Sequence, residues 1–195
     1  MSPVSTPQGM TETDRRIVAV WAADCAERVL PLFEREAPDD DRARDAIART
    51  RAFARGELTA AAEIRRRFVA GRAAHAAATP VGKAAARSAA QAAGVAHMGA
   101  HALGAAAYAA WAVELAHPDA PEARAAEMRR QLAHLSPEAA AALCTLPPLG
   151  TDPAGPLGPG LLSSGPLGEV IREIQAHLSS AVEEVPLSNR ATGCI

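Results

Sequence analysis

The chain has 195 residues, of which alanine is about a quarter; apolar residues reach 49% although aromatics supply only 3%. Alanine is the best helix former and a poor strand former, so a sandwich, a barrel or a doubly wound sheet is all but excluded. A charged share of 22% and a net charge of -2 leave no electrostatic excess for non-specific nucleic-acid binding.

Residues 1–11 read as a disordered lead-in. A first helix is predicted from near Glu12, where acids suit a helix N-terminus, with Ile17, Val20, Trp21, Cys25, Val29 and Leu30 forming an apolar stripe at helical period. Pro31 predicts a kink or break. The loop at residues 37–41 ends in Asp39, Asp40 and Asp41, which suit the cap of a second helix at 42–55 stopped by Gly56. A third helix is predicted over 58–78. A long fourth helix then runs over 81–116 and ends before Pro118. Its glycines Gly94, Gly99 and Gly104 weaken it by about 1 kcal/mol each relative to alanine, but let a neighbouring backbone approach closely. A fifth helix at 120–133 and a short sixth at 136–145 complete a helical domain spanning 12–145. Glycine and proline dominate residues 146–168, which read as a mobile linker. Residues 169–195 read as a short amphipathic helix followed by a flexible tail. Charge divides with this boundary: residues 1–145 carry a net +1 and residues 146–195 a net -3.

The first ten residues show no basic segment leading into an apolar one, so no secretory signal is expected. The alanine-rich stretch at 84–116 is interrupted by Arg87, Gln91, His97, His101 and Glu114, and no membrane span is expected. Three widely spaced cysteines, Cys25, Cys144 and Cys194, form no disulfide framework or zinc-knuckle spacing, which favours a reducing cytoplasm.

Four separated segments occur in a specific order: WAADCAERVLPLFE at 21–34, PDDDRARDAIARTRAFARGE at 38–57, AAARSAAQAAGVAHMGAHALGAAAYAAWAVE at 84–114 and MRRQLAHLSPE at 128–138. Together they resemble the immunity-five-like immunity proteins of bacteria over about residues 14–145; the segment from 146 onward lies outside the resemblance. The resemblance implies an all-helical fold and protection against a toxin of interbacterial competition. It carries no biochemical mechanism with it.

One constellation has chemical interest. His97 and His101 are four apart on the predicted helix and therefore share a face, with Tyr108 seven further on. Asp24 and Cys25 of the first helix, Asp41 and Arg42 at the start of the second, and His75 of the third are candidates to converge there. A His-x-x-x-His pair offers two ligands for zinc, nickel or iron and needs a third, such as a carboxylate, Cys25 or His75. The same groups suit proton transfer, or activation of Cys25 as a nucleophile. The plainer reading comes first: histidines in a tight alanine-rich core bond a neighbouring group and fix helix register. No Glu follows His97, so the zincin motif is absent. No cofactor is therefore expected, with a divalent metal as the alternative, and no catalytic residue is named. Cys25 reads first as a small buried hydrophobe. Asp39 and Asp40 read first as a solvated loop and cap, and second as an acidic face that meets a basic toxin. The terminus at 190–195 reads first as ordinary disorder, and second as a modified peptide with Cys194 as the modified residue.

The expected architecture is thus all-α: a compact bundle of about six helices around a long Ala/Gly-rich central helix, with a Gly/Pro linker and a C-terminal helix and tail. The leading functional expectation is an immunity-type binding protein that occludes a cognate toxin. The alternative is a small helical metalloprotein or enzyme centred on His97 and His101, and behind it a carrier of a modified C-terminus. The apolar face near 167–185 leaves two docking options, its own bundle or a second copy in a homo-oligomer.

Overall fold

The computed structural model describes residues 7–183, which hold eight α-helices and no strand. Helix α1 (Glu12–Glu34) starts where the Thr11 hydroxyl accepts the Asp14 N–H. It buries Val18, Trp21, Cys25, Val29 and Phe33. The break expected at Pro31 does not occur: the helix runs on to Glu34 with Pro31 on its exposed side, where solvent can satisfy the carbonyl that the missing N–H leaves free. Helix α2 (Arg42–Ala54) ends at Gly56, whose φ of +83° suits glycine. Helices α3 (Ala60–Ala73), α4 (Pro80–Gly94) and α7 (Pro137–Cys144) are each opened by a hydroxyl cap, from Thr59, Thr79 and Ser136. Helices α5 (His101–Ala116), α6 (Ala123–Ala133) and α8 (Gly165–Glu183) complete the set.

Helices α1, α4 and α5 pack on one another at the centre; α2 and α3 cover α4, while α6 and α8 cover α5. Alanine makes this possible. Ala102, Ala105, Ala106, Ala107, Ala109, Ala110 and Ala112 are all fully enclosed, so neighbours approach α5 from every side. The buried Ser88 hydroxyl donates to the Ala105 carbonyl at 2.8 Å and ties α4 to α5.

The continuous helix expected over 81–116 is two helices. The chain leaves α4 after Gly94, turns through residues 95–100 and re-enters a helix at His101. A helix break frees backbone donors that must find partners. Here the N–H groups of Gly99 and Ala100 donate to the carbonyls of Gly9 and Gln8. The Met10 side chain occupies the space that a Cβ on Gly99 would need. The lead-in expected to be disordered is therefore built into the bundle from a single 3-10 turn (Pro7–Gly9) onward.

The segment 146–168, expected to be a mobile linker, is also packed. Leu146, Leu157, Leu162 and Leu167 are buried. Gln8, only 2% exposed, grips the loop: its Nε2 donates to Asp152 Oδ2 and the Ala154 carbonyl, both at 2.7 Å, and its Oε1 accepts the Leu157 N–H at 2.9 Å. Helix α8 lays Leu167, Val170, Ile171, Ile174 and Leu178 onto its own bundle, chiefly against α5. No helix among the described residues is long and apolar enough to cross a membrane.

Candidate functional site

The candidate residues fall into separate places rather than one. His101 opens α5 and turns its ring back over the end of α4, where a Cβ on Gly94 would stand 2.8 Å from the ring carbon Cγ. Gln91, one turn earlier on α4, fills the notch left by Gly104. The two side chains meet: His101 Nδ1–H donates to Gln91 Oε1 at 2.7 Å. That bond fixes the neutral tautomer with its lone pair on Nε2. Burial, followed by the nearby His97, lowers the His101 pKa from 6.5 to about 4. The imidazole is therefore neutral at pH 7. Its Nε2 has no hydrogen-bond partner among the described residues and is not enclosed.

These groups line a cleft of about 380 Å³ whose wall on the α4–α5 side also holds His97, Met98 and Tyr108. The facing wall is the loop at 155–162. His97 does not share a helical face with His101, because it lies exposed on the turn at 95–100. Tyr108 is 3% exposed, and burial raises its pKa against the opposing influence of Arg87, whose guanidinium stands 5.9 Å from the ring centroid.

Asp24 and Cys25 line a second cleft, of about 240 Å³, between α1 and α6, together with Trp21, Arg28, Arg130 and Gln131. Behind it Glu127 is 2% exposed and held at two points by Arg28, Nε to Oε1 at 2.8 Å and a terminal nitrogen to Oε2 at 3.0 Å. Arg130 stands 3.8 Å from the same carboxylate. The Trp21 indole donates to the Gln131 carbonyl at 2.8 Å. Gln131 Nε2 points to the Ala106 carbonyl and to Glu127, while its Oε1 finds no partner among the described residues. Asp24 and Glu27 share Arg51 on the outer face of α1. Burial, then the charges of Glu127 and Asp24, push the Cys25 thiol well above its ordinary pKa. A thiol held protonated is a poor nucleophile.

Asp41 and Arg42 belong to neither cleft. Asp40 Oδ1 accepts the Arg42 backbone N–H at 3.1 Å, and its carboxylate also takes the Arg42 guanidinium, which lowers the Asp40 pKa. Asp39 and Asp41 remain exposed beside it. His75 follows the end of α3 and is exposed. The expected convergence of Asp24, Cys25, Asp41, Arg42 and His75 on the His97–His101 pair is thus corrected: the break at 95–100 turns the pair toward the Gly/Pro loop. Among the described residues no three His, Cys, Asp or Glu side chains are grouped to hold a metal ion. Cys194 lies outside the described residues.

Sequence reasoning missed Arg28, Glu127 and Gln131 at the one cleft and Gln91, Met98 and Leu162 at the other. A signal existed for the first set. Glu127 and Gln131 are four apart beside Met128, polar residues on the inward side of an otherwise apolar stripe.

A family model described as "Imm-5 like putative immunity protein" matches residues 8–138. The chain belongs to this family. Membership assigns it a general immunity role. No curated protein and no solved structure matches the chain. The Imm-5 like match contains every residue lining the α1–α6 cleft, from Trp21 to His134, whereas the His101 cleft draws half its wall from beyond residue 138.

Proposed function

We propose that this immunity protein is a binding protein that neutralises a cognate bacterial toxin by occluding it, with no chemical turnover. The observation that carries this reading is the coincidence of the family match with a preformed cleft built wholly inside it. A shared recognition role belongs to the shared part of the chain. The α1–α6 cleft has the make-up of a recognition patch: an aromatic floor at Trp21, charges at the rim, and an ion pair from the partly exposed Arg28 to the buried Glu127 that ties α1 to α6. A rigid surface of this kind limits the entropy lost on association. The exposed carboxylates of Asp39 and Asp41 add an acidic corner that favours a basic partner. Burial holds the Cys25 thiol protonated, so this side chain does not act as a nucleophile in the cleft.

Stoichiometry tests the proposal. The tagged chain is used to capture its partner from the native host, and the captured protein is expressed in a sensitive strain with and without the chain. Growth rescue, with inhibition complete at one chain per toxin and an active toxin recovered on separation, supports occlusion. Inactivation by a small fraction of an equivalent, or recovery of a covalently altered toxin, overturns it.

A further inference from the structure

We infer that the cleft between the α4–α5 turn and the loop at 155–162 is a binding site for a small uncharged aromatic molecule carrying one O–H or N–H donor. The site is separate from the α1–α6 cleft and does not depend on toxin occlusion.

Three features separate it from a structural polar network. The first is how the acceptor is presented. A structural histidine is satisfied by its internal bonds, but His101 spends only Nδ1, on Gln91, and leaves Nε2 accessible on the cleft wall. The second is how much of the sequence serves that placement. Gly94 makes room for the imidazole and Gly104 for Gln91. Glycine inside a helix is unfavourable by about 1 kcal/mol relative to alanine, and Gly104 lies within α5. The third is the opposite wall. A glycine- and proline-rich loop would move if left alone, yet the buried Gln8 amide holds it through three hydrogen bonds to the loop at 152–157. A pinned loop facing a pinned acceptor is a preorganised site.

The lining sets the class of ligand. No Asp, Glu, Lys or Arg lines the cleft, so its basic groups are the imidazoles of His97 and His101 and it holds no fixed charge to pair with an ion. The neutral Nε2 accepts and does not donate, so the ligand must bring the proton. Met98, Pro156 and Leu162 supply thioether and aliphatic surface suited to the face of a ring. A volume of about 380 Å³ lies in the range of small-molecule sites, roughly 300–1,000 Å³. Leu161, 62% exposed at the rim, gives an apolar lip.

The test uses the full chain at pH 7, labelled at methionine methyls and histidine rings, with p-cresol as probe and 4-methylanisole, which lacks the donor, as its control. Saturable shifts at Met98 and His101 are expected with p-cresol, and affinity for 4-methylanisole about tenfold weaker. His101→Phe should remove the preference between the two. Should that variant not fold, Leu161→Arg, made at an exposed side chain, should abolish binding of p-cresol by closing the rim. Absence of saturable shifts at Met98 and His101, equal affinity for the two probes, or undiminished binding by Leu161→Arg overturns the inference.

Discussion

The two clefts are of comparable size but are made by opposite means. Between α1 and α6 the walls are fixed by charge: Glu127 is buried and neutralised by Arg28, and the rim carries further ions. Beside the α4–α5 turn no Asp, Glu, Lys or Arg lines the cleft, and position is fixed by neutral amides, Gln91 on His101 and Gln8 on the loop. The first is made entirely within the segment matched to the family, and the second joins that segment to the chain's own C-terminal extension. Charge-built walls suit a macromolecular partner that brings complementary charge, and neutral, glycine-notched walls suit a small ligand. The same α-helical core thus carries two clefts that should fail independently.

The largest expected effect tests the charge-built side. Arg28→Ala leaves the Glu127 carboxylate buried without its two-point partner. A fully buried pair broken in this way loses about 3–5 kcal/mol, and since Arg28 is partly exposed a loss of about 2–4 kcal/mol is expected in urea unfolding. Binding of p-cresol at the other cleft should be unchanged. A loss below about 1 kcal/mol would mean that the ion pair does not hold the cleft together.

Acid tests the neutral side. His101 has a folded pKa of about 4 against an ordinary 6.5, so between those values the unfolded chain binds more protons than the folded one. The stability this group contributes is present above pH 6.5 and is lost as pH falls toward 4. Its size is at most about 3 kcal/mol. Comparing stability at pH 7 and pH 4.5 for the native chain and for His101→Gln isolates it: the native chain should lose more on acidification. Equal losses would show that the surroundings of this imidazole do not disfavour its charged form.

A smaller effect separates the two regions most cleanly. Gln8→Ala removes three hydrogen bonds from a buried site and leaves the loop's Leu157 N–H without its partner. A loss of about 1–3 kcal/mol is expected. Proteolysis should become faster within residues 150–162, with no change at α1 or α6. Uniform acceleration along the chain would show that the loop and bundle unfold as one unit.

The helices were legible because their signals are local: alanine content, the apolar stripe of the first helix, the acids near Glu12 and the stop at Gly56. The interruption at 95–100 was not legible, because what satisfies its free N–H groups is Gln8 and Gly9, about ninety residues earlier in the chain. The same long-range contact hid the order in the Gly/Pro segment, where irregularly spaced leucines carry no period although Leu157 and Leu162 are buried. At the candidate site His101, His97 and Tyr108 were visible as a group. Their partner was misjudged, since a continuous helix would have turned them toward α1 and α3. The glycines were read as points of close backbone approach, whereas Gly94, Gly99 and Gly104 receive the side chains of His101, Met10 and Gln91. Periodicity records which face of a helix is apolar and is silent on which side chain fills a notch.

The glycines therefore offer the smallest and most selective contrast. Gly71, in α3, has nothing within 4 Å of where a Cβ would sit and is exposed. Gly71→Ala should stabilise the chain by about 0.5–1 kcal/mol, since alanine lowers the entropy of the unfolded state and favours the helix. Gly94→Ala places the new carbon 2.8 Å from the His101 ring, inside any real Cβ contact, so the imidazole must move. Its helix-propensity gain is the same in sign, yet the substitution should lower thermal stability and displace the His101 ring resonances, while those of His134 beside α6 stay fixed. If both substitutions raised stability alike, the notch at Gly94 would have no part in holding His101, and the neutral cleft would lose the feature that most distinguishes it from packing.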